Sequence, residues 1–133
     1  MTRSKAIVTA FWIMTILFCA EMLFTAYWEW FSPGAAQAFA RLGFPAATFR
    51  LELSLAKVLG VLALLIPVMP QRLKEWAYAG FAFDLLSAVI AHASIHDLRL
   101  AFVPSALTAL LGAGSYLMWR QSERLRRPET STL

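Results

Sequence analysis

Apolar residues run along this chain in four long blocks, each closed by polar or helix-breaking residues. The first extends from Ala6 to Trp28 and is interrupted only by Glu21. The second covers Leu51 to Val68 and closes at Pro67 and Pro70, which helices do not readily pass through. The third, Trp76 to Ala93, is interrupted by Asp84, and the fourth, Leu100 to Trp119, carries no charge. Each block is close to the roughly 20 residues that cross a hydrocarbon layer as a helix, and Trp28, Trp76 and Trp119 stand at block ends, where interfacial aromatics gather. Unbroken aliphatic runs favour helices over barrel strands, which would alternate. The pattern predicts an all-α integral membrane four-helix bundle. Its spans lie at about 6–28, 51–68, 76–93 and 100–119, in one domain over 1–120, followed by a polar, basic and mobile tail over 121–133.

The connection from Glu29 to Arg50 is long enough for structure of its own. Ser32-Pro33 fits an N-cap followed by a first-turn proline, and Gly43 with Pro45 fits a helix stop. Between them Ala35, Phe39 and Leu42 share a face. A short amphipathic helix lying on the membrane surface between spans 1 and 2 is expected.

Composition sharpens the membrane reading. Hydrophobic residues make up 59% of the 133 and charged residues 15%, against roughly 45–50% and 25% in soluble domains. So small a domain has too little interior to hide that much apolar surface from water, which leaves the lipid bilayer as its solvent. The net charge of +4 does not indicate nucleic acid, because the basic residues cluster at block ends rather than in one stripe. The early basic residues Arg3 and Lys5 mimic a signal peptide. The apolar run is too long for one, however, and no small-x-small cleavage site follows, so a retained span is expected.

Basic residues also set an orientation. Arg3, Lys5, Arg72, Lys74, Arg120, Arg124, Arg126 and Arg127 fall on one side, against Arg41, Arg50 and Arg99 on the other. Both termini are therefore expected in the cytoplasm.

The candidate site consists of ionisable groups inside the spans, each of which costs roughly 2.5–3.5 kcal/mol at the bilayer centre unless paired. Glu21 lies seven residues inside the outer end of the first span, taken at Trp28. Lys57 lies six residues inside the outer end of the second, taken at Leu51. Both depths are roughly 9–11 Å, so opposite charges match across adjacent antiparallel helices. Asp84 sits mid-span, and His92 two turns further out. The expectation is one buried network of Glu21, Lys57 and Asp84 with His92 at its outer mouth, binding a ligand or acting in catalysis. A purely structural Glu21–Lys57 ion pair is the alternative, and His92 and His96 also read as interfacial polar residues. Glu52 points away from Lys57 and reads as solvated. The inner halves of the spans are expected to bury almost no polar groups.

Small residues mark contact faces: Ser105, Thr108, Gly112 and Ser115 on the fourth span, and Gly80, Asp84 and Ala88 on the third. These faces serve contacts within the chain, between copies, or with a partner membrane subunit. The lone Cys19 reads as a packing residue and forms no internal disulfide. No CxxC, HExxH, phosphate-loop or GxSxG motif is present, and no metal site is expected.

The stretch Lys57-Val-Leu-Gly60, then Leu65-Ile-Pro67, then Arg72-Leu-Lys-Glu-Trp-Ala-Tyr-Ala-Gly-Phe-Ala-Phe-Asp84 and Ala91-His92 resembles the DoxX-like family of small bacterial membrane proteins. Leu42-Gly-Phe-Pro45 resembles the family's Leu-Gly-x-Pro element. The likeness carries over Lys57, Asp84 and His92, with Gly60, Pro67 and Gly80, but no agreed catalytic set. It implies association with quinone-linked membrane oxidoreductase assemblies, and for some relatives a chaperone role. The function expected is an accessory subunit binding a lipophilic small molecule such as a quinone, which would be its cofactor or ligand. The alternatives are a membrane enzyme using Glu21 or Asp84 as proton acceptor beside Lys57, and a non-catalytic assembly factor.

Overall fold

The computed structural model describes residues 2–44, 46–96 and 98–126, with backbone alone for 98–103. Among the described residues all regular structure is helical: α1 (Arg3–Phe31), α2 (Pro33–Arg41), α3 (Ala47–Leu65), α4 (Gln71–Ser94) and α5 (Leu98–Arg126). Pro45, the Arg99 side chain and the tail over 127–133, Arg127 included, lie outside that description.

Local chemistry sets the helix ends. Thr2 caps α1, its Oγ1 accepting the Lys5 amide at 3.5 Å. Ser32 ends α1, and Pro33 opens α2 without a side-chain cap bond from Ser32. The α2 C-terminus is a Schellman turn: the Phe44 amide donates to Phe39 O at 2.8 Å and the Gly43 amide to Ala40 O at 3.1 Å. Gly43 adopts φ 95°, a conformation open to a residue without Cβ. Ala35 is buried and Phe39 and Leu42 half-buried, so α2 seats the expected face.

All eight boundaries of the long helices differ from the hydropathy reading, three of them instructively. α3 starts at Ala47, four residues before the apolar block, because Arg50 and Glu52 are compatible with the first turns of a helix. It stops at Leu65, since Ile66, preceding Pro67, is held extended at ψ 115°. α5 runs through Arg126, so residues 121–126 are helix rather than loose tail. Ser122 is buried there, and Arg126 pairs with Glu123 at 3.7 Å.

The four long helices form a ring, α1 to α3 to α4 to α5 and back to α1, with α2 bridging α1 and α3 at one end. Neighbours run antiparallel. Thr15 meets Ser115 and Glu21 meets Thr108 across α1 and α5, while Tyr78 meets Ser115 and Glu75 meets Arg120 across α4 and α5. One layer draws on all four helices. Phe18 and Phe81 meet edge to face at 5.0 Å in the centre. A Cβ on Gly60 would lie 2.7 Å from Phe81, and one on Gly112 would lie 2.9 Å from Phe18. The glycines thus make room for rings that close the middle of the ring.

The outside is apolar. Phe24, Leu59, Phe83 and Leu110, from four different helices, are all exposed. Among the described residues α1 and α4 are long and apolar enough to cross a membrane, whereas α3 carries Arg50, Glu52 and Lys57. Trp28 and Trp76 are exposed as expected of interfacial residues, but Trp119 is buried and stacked on Tyr78 at 5.7 Å.

Candidate functional site

The inward stripe of α3 is Arg50, Ser54, Lys57, Val61 and Leu64, spaced by four and three residues. The stripe of α1 is Phe11, Thr15, Phe18, Met22, Ala26 and Glu29, spaced the same way. Where the polar parts of the two stripes face each other, a charged cluster forms. Lys57 Nζ donates to Glu29 Oε1, reaches Thr25 Oγ1 at 3.4 Å, and lies 3.6 Å from Asp84 Oδ2 on α4. Ser54 Oγ donates to Ala26 O at 2.7 Å beside it. Lys57 and Glu29 are only 7% and 5% exposed, so little water screens the pair. Two carboxylates therefore share one ammonium, and Glu29 Oε2 and Arg50 Nε are buried without a hydrogen-bond partner among the described residues.

The Lys57–Asp84 contact unites two of the expected site residues. Glu21 is placed elsewhere: it accepts from Thr108 on α5. Matching backbone depth pointed to the wrong carboxylate. Side chains tilt toward their own helix N-terminus, so Lys57 points toward the α2 end while residues of antiparallel α1 point away from it. The lysine consequently meets a carboxylate set nearer the α2 end than its own backbone level, which is Glu29. Eight residues also turn the helix by about 80°, which aims Glu21 at α5. The spacing Met22, Ala26, Glu29 continued the inward stripe in the sequence and was the signal for Glu29. His92 is half-buried two turns beyond Asp84 on α4. His96 is exposed at the turn after α4, at φ 58°, and Glu52 is exposed.

Below the Phe18–Phe81 layer lies a second polar group that the sequence reading did not anticipate. Ser115 Oγ is 2.6 Å from both Thr15 Oγ1 and Tyr78 Oη, and all three side chains are buried. The expectation of an almost purely apolar inner half is therefore corrected. Hydroxyls escaped it because they are common in spans and only their alignment across helices makes a cluster. Thr108 and Ser115 do form contacts, as their stripe predicted. Gly80, by contrast, has nothing within 4 Å of a built Cβ, so its stripe is no close backbone contact.

Gly80 instead borders a cavity of about 400 Å³ between α3 and α4. Lys57 and Asp84 supply the charge in its wall. Gly60, Phe81 and Ala77 supply apolar surface, and exposed Leu59 and Trp76 mark where it opens outward. A site of this size, apolar with a few convergent polar groups, suits a small ligand with a polar head.

The sequence model of the DoxX-like family matches residues 13–114, which include the whole Lys57 cluster and both walls of this cavity. The chain belongs to the DoxX-like family. It is accordingly a small membrane protein, consistent with the apolar outer faces of its helices. No curated protein and no solved structure gives a match. Within this DoxX-like chain the matched segment omits the first turns of α1 and the last of α5, so Trp119, Ser122 and Glu123 fall outside it.

Proposed function

We propose that this DoxX-like protein is a four-span membrane bundle that binds a lipophilic small molecule with a polar head, of the quinone class, at Lys57 and Asp84. One observation carries the reading: an ion pair at 3.6 Å forms the charged part of an otherwise apolar cavity wall between α3 and α4. In lipid such charge is costly, and a head group that hydrogen-bonds to it offsets part of that cost. The apolar tail would leave between Leu59 and Trp76. Glu29 tethers Lys57 from behind, and His92 lies toward the same end. The protein acts as an accessory subunit of a membrane oxidoreductase assembly.

The test uses Trp76 as reporter, with Trp76→Phe as baseline. A long-tailed quinone titrated into the detergent-solubilised protein should quench Trp76, and Lys57→Met and Asp84→Asn should each weaken binding at least tenfold. Undiminished binding by both variants would reduce the protein to a scaffold. Topology is tested apart. Both termini face the cytoplasm of a bacterial inner membrane in this reading. Cysteines at Gln37 and Gln121, in a Cys19→Ala background, should then label from opposite sides.

A second reading, a membrane enzyme with an intramembrane carboxylate as proton acceptor, is favoured by the unpartnered Glu29 Oε2. It is distinguished by turnover of the bound molecule that Glu29→Gln abolishes while binding survives.

A further inference from the structure

A larger cavity, about 790 Å³, lies on the other side of α4, between it and α5. It touches neither Lys57 nor Asp84, and Phe81 forms part of the wall of both cavities. On α5 its wall is mostly small residues, Ala106, Ala109, Gly112 and Ala113, and on α4 Ala79 and Ala82 alternate with larger apolar residues such as Leu85, Leu86 and Val89. Such residues ordinarily let two helices close on each other. Here they flank open space.

Three features define what fits. The first is polarity. The Tyr78 hydroxyl is taken by Ser115, so the middle of the cavity is apolar in effect. Among the described residues its charges are at one end, where Arg120 pairs with Glu75 at 3.1 Å. Both are nearly half-exposed, at 47% and 45%, and a pair so wet is weak enough to exchange partners. The second is length. From Glu75 to Val89 the α4 wall rises roughly 21 Å, at 1.5 Å per residue. One leaflet, head group included, is roughly 20–22 Å deep, half of a 40–45 Å bilayer. A helix of a second copy would need about 30 Å or more to cross the hydrocarbon. The third is charge. Arg120 is followed one turn later by exposed Arg124, so the charged end is positive overall.

We infer that this groove holds one acyl chain of an anionic phospholipid from the leaflet on the side of the chain termini, with its phosphate on Arg120. The chain replaces the helix–helix contact that the small residues would otherwise make. The phosphate competes with Glu75 for the guanidinium as a charge-assisted, bidentate partner.

The experiment is native mass spectrometry of the full chain released from detergent, with phosphatidylglycerol or phosphatidylcholine supplied at equal concentration. The parent should retain one phosphatidylglycerol, at least fivefold over phosphatidylcholine. Ala109→Phe should cut that retention at least tenfold by filling the groove, and Ala82→Phe should do the same from the α4 wall, so misfolding of either variant leaves the other as a test. Arg120→Gln should abolish the preference between head groups while keeping a lipid bound. Retention unchanged in both Phe variants overturns the inference. So does a dimeric parent that the Phe variants turn monomeric, because the occupant would then be a second copy. Quinone quenching of Trp76 should be unaffected in the Phe variants, which keeps this groove separate from the Lys57 site.

Discussion

The two ends of the helix ring hide polar groups in opposite ways. Toward α2 the buried groups carry full charges: Lys57 between Glu29 and Asp84, with Arg50 within electrostatic reach of Glu29. Toward the termini the buried centre is a chain of three hydroxyls on Thr15, Ser115 and Tyr78, Lys74 is buried at the rim within electrostatic reach of Glu123, and the ion pair Glu75–Arg120 stays half in solvent. Phe18 and Phe81, seated on Gly112 and Gly60, separate the two. The difference lies in what is left over. The hydroxyls satisfy one another and ask nothing of a ligand. The charge cluster sets two carboxylates on one lysine, keeps an oxygen without a partner among the described residues, and faces a cavity. Buried polarity alone is therefore a poor guide to function in a membrane protein, and unsatisfied polarity beside open space is a better one.

The comparison is broken most severely at Lys57. Lys57→Met strands the buried Glu29 carboxylate and the half-buried Asp84, a change that costs about 3–5 kcal/mol when one partner of a buried pair is removed. Arg120→Met removes an exposed partner and should cost no more than about 1 kcal/mol. Unfolding of detergent-solubilised protein measures both, and equal losses would erase the distinction between the ends. Double-mutant cycles sharpen it. Lys57 with Glu29 and Lys57 with Asp84 should show coupling, whereas Lys57 with Glu21 should be additive.

The dividing layer is the next target. Gly60→Ala places a methyl 2.7 Å from the Phe81 ring, which Phe18 holds from the other side. Overpacking of this kind costs about 1–3 kcal/mol. Phe81→Leu in the same chain should recover much of the loss by vacating the contested space. A Gly60→Ala protein as stable as the parent would mean that the ring moves freely and the layer is no barrier.

How far the sequence could be read follows from these particulars. The helical class and the α2 helix with its Gly43 stop were legible, because they depend on hydropathy runs and on local cap chemistry. Lys57 and Asp84 stood out because charge inside an apolar run is conspicuous. Glu29 did not, since it sits among aromatic residues at a block end and looks like connecting sequence. Assigning it requires knowing that side chains on antiparallel helices lean in opposite directions, so that partners differ in backbone level. The hydroxyl chain was invisible for another reason. Thr15, Tyr78 and Ser115 are unremarkable singly, and their register across three helices is fixed by packing, which spacing along one helix does not reveal. The α4/α5 groove was hidden likewise: the same small residues predict a tight contact or, as here, a gap.

The smallest effect is expected at the hydroxyl chain. Ser115→Ala removes the hydroxyl that both Thr15 and Tyr78 use. Thr15 has a recourse, since a threonine in a helix can turn its hydroxyl to the carbonyl one turn back. Tyr78 keeps Thr15 within reach of its hydroxyl, so its bonding is weakened rather than lost. Hydrogen bonds between membrane helices average only about 0.6 kcal/mol in double-mutant cycles, so a loss of about 1 kcal/mol is expected. Tyr78→Phe added to Ser115→Ala should cost little more, because the second change removes a hydroxyl whose main partner is already gone. The informative readout is ligand binding. If the Phe18–Phe81 layer insulates the two ends, Ser115→Ala leaves quinone quenching of Trp76 at the parent level while lowering stability. Should it weaken quenching as much as Lys57→Met does, the two polar groups form one coupled site, and the hydroxyls are part of the binding machinery rather than of the packing alone.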